Sequence, residues 1–163
     1  MLLYSTDATA VTVVNIDNIF TSTYLNYLVE VVPTAILTAS GQTITLVFRS
    51  GGVTQRVAAY INSALTLTGT TVSGTSSSTD SYHLIGSAGT GSVHASETII
   101  HNPLSTSTVY GKGYKSRSFA VSSGQYKQSH ISGLYPSSTS MDGFAIESSQ
   151  TMNVLIRVYG YAN

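Results

Sequence analysis

Along several stretches of the chain apolar residues recur at every second position, the spacing of a strand with one face packed and the other wet. In TITLVFR, Ile44, Leu46 and Phe48 share one face while Thr43, Thr45 and Arg49 take the other. In YLNYLVEVV, Leu25, Tyr27, Val29 and Val31 stand opposite Asn26 and Glu30, and Pro33 ends the run. In TMNVLIRVY, Met152, Val154, Ile156 and Val158 point one way and Asn153, Arg157 and Tyr159 the other. Shorter runs of the same kind are ATAVTVV, RVAAYINSALTLT, YHLIG, VHASETIIH, SRSFAV, SHISGLY and DGFAIES. Residues Arg56 to Leu65 also fit a short helix, with Val57, Tyr60, Ile61 and Ala64 on one face, but the Thr and Val content favours a strand.

Turn formers separate these runs: Ser40–Gln42, Ser50–Gly52, GSAGTG, Ser122–Gly124 and TVSGTSSSTD, the last read as an exposed loop. Short strands at close spacing, with no alternation of β and α units and no heptad or Gly-X-Y repeat, predict an all-β fold. The expectation is an antiparallel β-sandwich, jelly-roll-like, with about 8–10 strands. The strand pattern starts by about Val11, so residues 1–10 are expected to form an N-terminal arm and residues 11–163 a single sandwich domain.

Composition narrows the setting. A chain of 163 residues is one domain's worth and long enough to bury a core without staples; it has no cysteine, so nothing in it depends on an oxidising compartment. The start MLLYSTDATAVTVV lacks a basic segment and an unbroken apolar stretch, so it makes a poor signal peptide, and no run is long enough to insert in a membrane. The expected site of synthesis is a reducing cytoplasm. Charged residues are 9% of the chain and the formal net charge is zero, against about a quarter charged in ordinary domains. Ser and Thr supply roughly three residues in ten. With 42% hydrophobic residues the chain is too apolar for disorder. A neutral, hydroxylated surface offers little repulsion between copies, which points to life in an assembly as a homo-oligomer.

Candidate chemistry is sparse. GSAGTGS lacks the Gly-Lys-Ser/Thr ending of a phosphate loop and leads into VHASETII, which reads as a strand. His83, His94 and His101 form no close pair, and His94 and His101 fall on opposite faces of one strand, so satisfied or exposed histidines are expected and no metal. The seven carboxylates show no local pairing, G-x-S-x-G is absent, and a Ser-rich chain with four histidines permits a Ser–His–Asp set on paper only. No enzyme and no cofactor is expected. One stretch stands out: VYGKGYKSRSFAVSSGQYKQSH holds Lys112, Lys115, Arg117 and Lys127, four of the seven cationic residues, interleaved with Tyr110, Tyr114 and Tyr126. Aromatic faces beside cations can contact a protein or a glycan. The neutral chain argues against nucleic acid as the partner.

Three phrases carry a resemblance. NIDNIFTSTYLNYLVEV (Asn15 to Val31) resembles an "F-t-s-T-Y-x-N-Y" opening of virion proteins of tailed bacteriophages, notably cyanophages and other marine phages. ITLVFRSGG resembles their "L-r-l-R-x-S-G" strand and turn, and MDGFAIESS…NVLIRVYGYAN their closing hairpin, an "I-x-G-f" strand before a last strand ending in V/L-Y-G. The matches cover the first third and last sixth of the chain. The resemblance implies a β-sandwich virion part, commonly trimeric, with no shared catalytic residues. Two roles follow: a capsid decoration (cement) protein bound to the major capsid protein on the outer head surface, or a tail-fibre or baseplate domain that recognises host-surface glycans. The short segment ahead of the strand pattern favours decoration, because a free-standing fibre needs an attachment segment, and an arm of ten residues can exchange a strand with a neighbour. A carbohydrate-binding module or hydrolase of cellular origin is the third expectation.

Overall fold

The computed structural model describes residues 1–35, 42–56, 59–88, 93–109, 111–122 and 125–161. Every regular element among them is a strand: β1 (Leu2–Ile16), β2 (Asn26–Pro33), β3 (Gln42–Ser50), β4 (Val53–Thr54), β5 (Tyr60–Thr68), β6 (Thr71–Asp80), β7 (His83–Ala88), β8 (Val93–His101), β9 (Lys112–Ser122), β10 (Gln125–Tyr135) and β11 (Gly143–Tyr161). All pairings are antiparallel, in the order β4-β3-β11-β2-β8-β9-β10-β5-β6, with β1 added on β11 and β7 on β3. The all-β antiparallel expectation holds, and the helical alternative for Arg56–Leu65 falls to strand β5 from Tyr60 on, residues 57–58 lying outside the described residues.

The nineteen-residue β11 organises this sheet. Along one edge its first half pairs with β3, from Gly143↔Arg49 to Ser148↔Ile44, and its second half with β2, from Val154↔Pro33 to Tyr161↔Asn26. Strand β1 runs along the other edge of both halves, from Leu2↔Tyr159 to Ile16↔Phe144. The alternation in TMNVLIRVY decides which side is buried: Met152, Val154, Ile156 and Val158 are in the core and Arg157 is outside.

The sheet curls so that β3 and β7 lie across the interior from β5, β9 and β10. Phe48 of β3 stacks 6.1 Å from Tyr60 of β5, 6.4 Å from Tyr114 of β9 and 5.7 Å from Tyr135 of β10, ring centre to ring centre. Tyr60 and Tyr135 are 4.3 Å apart. Phe20 extends the cluster toward Tyr27 and Phe144. Such rings bury large apolar areas and hold each other in defined geometries. The tyrosine hydroxyls are not wasted in this interior: the backbone N–H of Phe48 donates to Tyr60 Oη at 2.8 Å, and Tyr27 Oη accepts from Thr21 N at 2.7 Å while donating to Thr21 O at 2.9 Å.

Four expectations need correction. Residues 1–10 are not an arm: from Leu2 they are the first part of β1, whose backbone pairs with β11 of the same chain from Leu2↔Tyr159 to Ala8↔Val154. TVSGTSSSTD is not a loop but strand β6, which pairs with β5 from Thr68↔Thr71 to Asn62↔Ser77; Ser and Thr satisfy a ladder as well as a turn when a partner strand lies alongside. Leu25 lies outside β2 and is exposed. Arg49 and Thr45, placed by alternation on the wet face, are buried, and the guanidinium makes four hydrogen bonds: Nε and Nη2 on the two Asp17 oxygens at 2.7 and 3.2 Å, Nη1 on Thr54 Oγ1, and Nη2 on Gly52 O. That fork ties the β3–β4 turn to the segment after β1. The loop residues Gly89–Ser92 lie outside the described residues.

One close approach sets a test. A Cβ on Gly133 would stand 1.9 Å from Ile61 O and 2.7 Å from the Tyr114 hydroxyl, which itself donates to Ile61 O at 2.9 Å. We expect Gly133→Ala to destabilise the chain by about 2–3 kcal/mol, read as a lowered midpoint in chemical denaturation.

Candidate functional site

Strand parity divides the cluster of cations and tyrosines. On β9 the residues Lys112, Tyr114, Ser116, Ser118 and Ala120 are buried, while Lys115, Arg117 and Phe119 are exposed. Lys112 is wholly inside: Nζ donates to Ser105 O and Ser137 O at 2.6 Å each and lies 6.0 Å from the Tyr135 ring centre, and burial lowers its pKa. Tyr114 packs in the aromatic core and donates to Ile61 O; burial raises its pKa. Neither is placed for an outside partner, which corrects the reading of the cluster as one patch. Tyr110 lies outside the described residues. Lys127 is half-buried on the inner side of β10 beside His94. Lys115, Arg117 and Tyr126 remain on the outer surface.

Inside, β5, β7, β8 and β9 are joined by a polar network that sequence reasoning missed. His83 Nδ1 lies 2.9 Å from Asn62 Oδ1, His83 Nε2 lies 2.7 Å from Ser116 Oγ, and Ser116 Oγ is 2.7 Å from Thr98 Oγ1. Asn62 Nδ2 donates to Asp80 Oδ2 at 2.5 Å and to Tyr82 O at 3.1 Å, and Ser77 Oγ donates to Asp80 Oδ1 at 2.9 Å. With Asn62 Oδ1 an acceptor, His83 must donate from Nδ1 and accept from Ser116 at Nε2. Burial holds the ring neutral, with its pKa lowered to about 3. The order Ser116–His83–Asn62 is that of a nucleophile, base and orienting group, but Ser116 is 1% exposed and His83 0%. Neither group faces solvent among the described residues. The arrangement's chemical work here is to satisfy every member of a buried set. His94 is different: it is buried against Gly86, neither ring nitrogen has a partner among the described residues, and burial lowers its pKa to about 4.

The outer face of the sheet carries a second charged grouping, beside a groove. Cross-strand register puts Arg157, Glu30, Glu97, Arg117 and His130 in one row across β11, β2, β8, β9 and β10. Arg157 Nη1 lies 3.7 Å from Glu30 Oε2, and Tyr159 Oη donates to the same oxygen at 3.3 Å. The parallel row two residues along is apolar: Leu155, Val32, Ala95, Phe119, then Gln128, Leu67 and Val72. Between the rows runs a groove of about 400 Å³ lined by Glu30, Val32, Glu97, Arg117, Phe119 and His130.

On β5 both faces are mixed: Tyr60 is in the core, but three of the outward positions are apolar. Ile61, Leu65 and Leu67 face solvent at 41%, 54% and 38% exposure, while Asn62, Thr66 and Thr68 point the other way. Val72, Phe119, Tyr126 and Leu134 add exposed apolar surface on the same side, with the Phe119 and Tyr126 rings 6.1 Å apart. No family model, no curated protein and no solved structure matches the chain.

The buried imidazoles set the pH response. A folded pKa below the unfolded 6.5 means that the unfolded chain takes up protons first, so stability is complete above about pH 6.5 and falls as pH drops toward 4. The slope is about 1 kcal/mol per pH unit for each histidine. We expect His83→Gln to flatten this slope in urea titrations run across that interval.

Proposed function

We propose that the chain is a non-enzymatic virion structural protein of a tailed phage, a capsid decoration (cement) protein that covers part of the outer head surface and stabilises it. Its partner in this reading is the major capsid protein, and it is made in the host cytoplasm before joining the particle. The observation that carries the proposal is the exposed apolar row of β5: a strand that turns Ile61, Leu65 and Leu67 outward while Asn62 and Thr66 face inward gives the sheet a face suited to being covered. Phe119, Tyr126 and Val72 extend that face, and the Arg157–Glu30–Glu97–Arg117 row beside it is balanced in charge. An apolar centre with a polar, charge-balanced border matches the anatomy of protein–protein contacts. The phrases Asn15 to Val31, ITLVFRSGG and MDGFAIESS…NVLIRVYGYAN supply the phage setting by resemblance.

A second reading has its own observation. The exposed Phe119–Tyr126 pair beside the groove, with Glu97, Arg117, Gln128 and His130 as hydrogen-bonding groups, suits a host-surface glycan bound by a tail-fibre or baseplate domain.

Particles stripped of this protein should rebind it in stoichiometric amounts, hundreds of copies per head. We expect Leu67→Lys/Phe119→Lys to weaken rebinding by roughly a hundredfold, as for the loss of interface anchors, with the fold intact by circular dichroism. A handful of copies at the tail, together with glycan-array binding lost in Tyr126→Ala, would replace decoration by the second reading.

A further inference from the structure

The sheet has two long edges, and they are treated differently. The free edge of β1 is blunted: its register breaks at Leu2/Tyr4, Ala8/Val11 and Val11/Val13, Ala10 is forced to φ +52°, its N–H is taken by Asn153 Oδ1 at 2.8 Å, and Asp7 places a charge along it. Bulges and charges of this kind keep other strands from pairing with an edge. Strand β6 confines its one register break and its one charge to its end, beyond Ser77. From Thr71 to Ser77 it pairs with β5 without a break in register, so its other edge presents about 20 Å of regular backbone with no strand beside it among the described residues. That stretch, TVSGTSS, contains no charge and no proline. The strand's one charge, Asp80, is at its end and turned to Asn62 and Ser77.

We propose that β6 pairs antiparallel with β6 of a second copy of this chain, joining the two sheets edge to edge about a two-fold axis. Three observations choose a second copy as the occupant. The chain has zero net charge, so two copies meet without repulsion. A β6–β6 ladder sets hydroxyls against hydroxyls, and Ser/Thr cross-strand pairs bond to each other. With the axis perpendicular to the sheet, each β6 residue meets one of its own parity, so the face bearing Val72, Leu65 and Leu67 continues across the junction. Self-pairing through one edge closes at two chains. That is a two-fold arrangement, not the three-fold one that the phage resemblance implies.

The test is the mass of the full chain in solution by sedimentation velocity, with amide hydrogen exchange on the same samples. Wild type should show twice the mass of one chain, with alternate β6 amides protected at high concentration and exposed on dilution. Gly74→Lys/Ser76→Lys puts ammonium groups against each other for an axis anywhere from Gly74 to Ser76, on the exposed side. A Cβ at Gly74 meets only Ala64 O, at 3.9 Å. The double variant should raise the dissociation constant roughly tenfold or more with an unchanged circular dichroism spectrum. A wild-type monomer, a three-chain species, or a dimer indifferent to the two lysines overturns the proposal; should the variant misfold, unprotected β6 amides in wild type do so alone. A dimer with no affinity for capsids upholds the pairing and counts only against the decoration reading.

Discussion

The fold depends on the simultaneous hydrogen bonding of β11 to three other strands. A strand in a sheet ordinarily has two neighbours; β11 is long enough to give one edge to β3 and then to β2 while β1 follows the other edge throughout. Because the same strand supplies Phe144, Ile146, Met152, Val154, Ile156 and Val158 to the core, its ladder and its apolar face are established together. The curl that sets Phe48 against Tyr60, Tyr114 and Tyr135 follows from carrying β3 at one end of β11 and the β2–β8–β9–β10–β5 series at the other. Everything proposed about the outer surface rests on that geometry, since it decides which residues of β5 and β9 face out.

Where one face of a strand is apolar and the other polar, the sequence could be read directly. The second half of β11 is of this kind, and Arg157 lies outside as its parity requires, whereas β3 is buried on both faces. Reading failed where composition and parity part company. In β6 the residues are turn formers by type, and only the presence of β5 alongside makes them a strand. In β9 the cations and tyrosines are close along the chain, but neighbours in a strand point to opposite faces, so Lys112 and Tyr114 went inside while Lys115 and Arg117 stayed out. Applying parity to KGYKSRSF before grouping its charges would have found this. The network of His83, Asn62 and Ser116 had no local signal: its members come from β7, β5 and β9 and meet only through the curl. Arg49 likewise looks wet by parity, and Asp17 and the Gly52 carbonyl make it dry.

Polar groups inside and apolar groups outside are two sides of one exchange on β5. Asn62 cannot serve His83, Tyr114 and Asp80 unless it faces inward, and a period of two then obliges Ile61, and Leu65 and Leu67 beyond it, to face outward. The buried network thereby fixes the register of the exposed apolar face. An interaction surface held by an internal hydrogen-bonded set is more rigid than one carried on a loop, and rigid surfaces lose less entropy when they are covered.

The same β11 has a consequence for synthesis. It comes after every strand it binds, so β1, β2 and β3 leave the ribosome well before the segment that completes their ladders. Closing a contact between Leu2 and Tyr159 requires ordering nearly the whole chain at once, and such distant pairings fold slowly. Until then the nascent chain exposes hydroxyl-rich, weakly charged segments with open backbone, a state that chaperones exist to shelter. Completion of the native sheet therefore waits on β11.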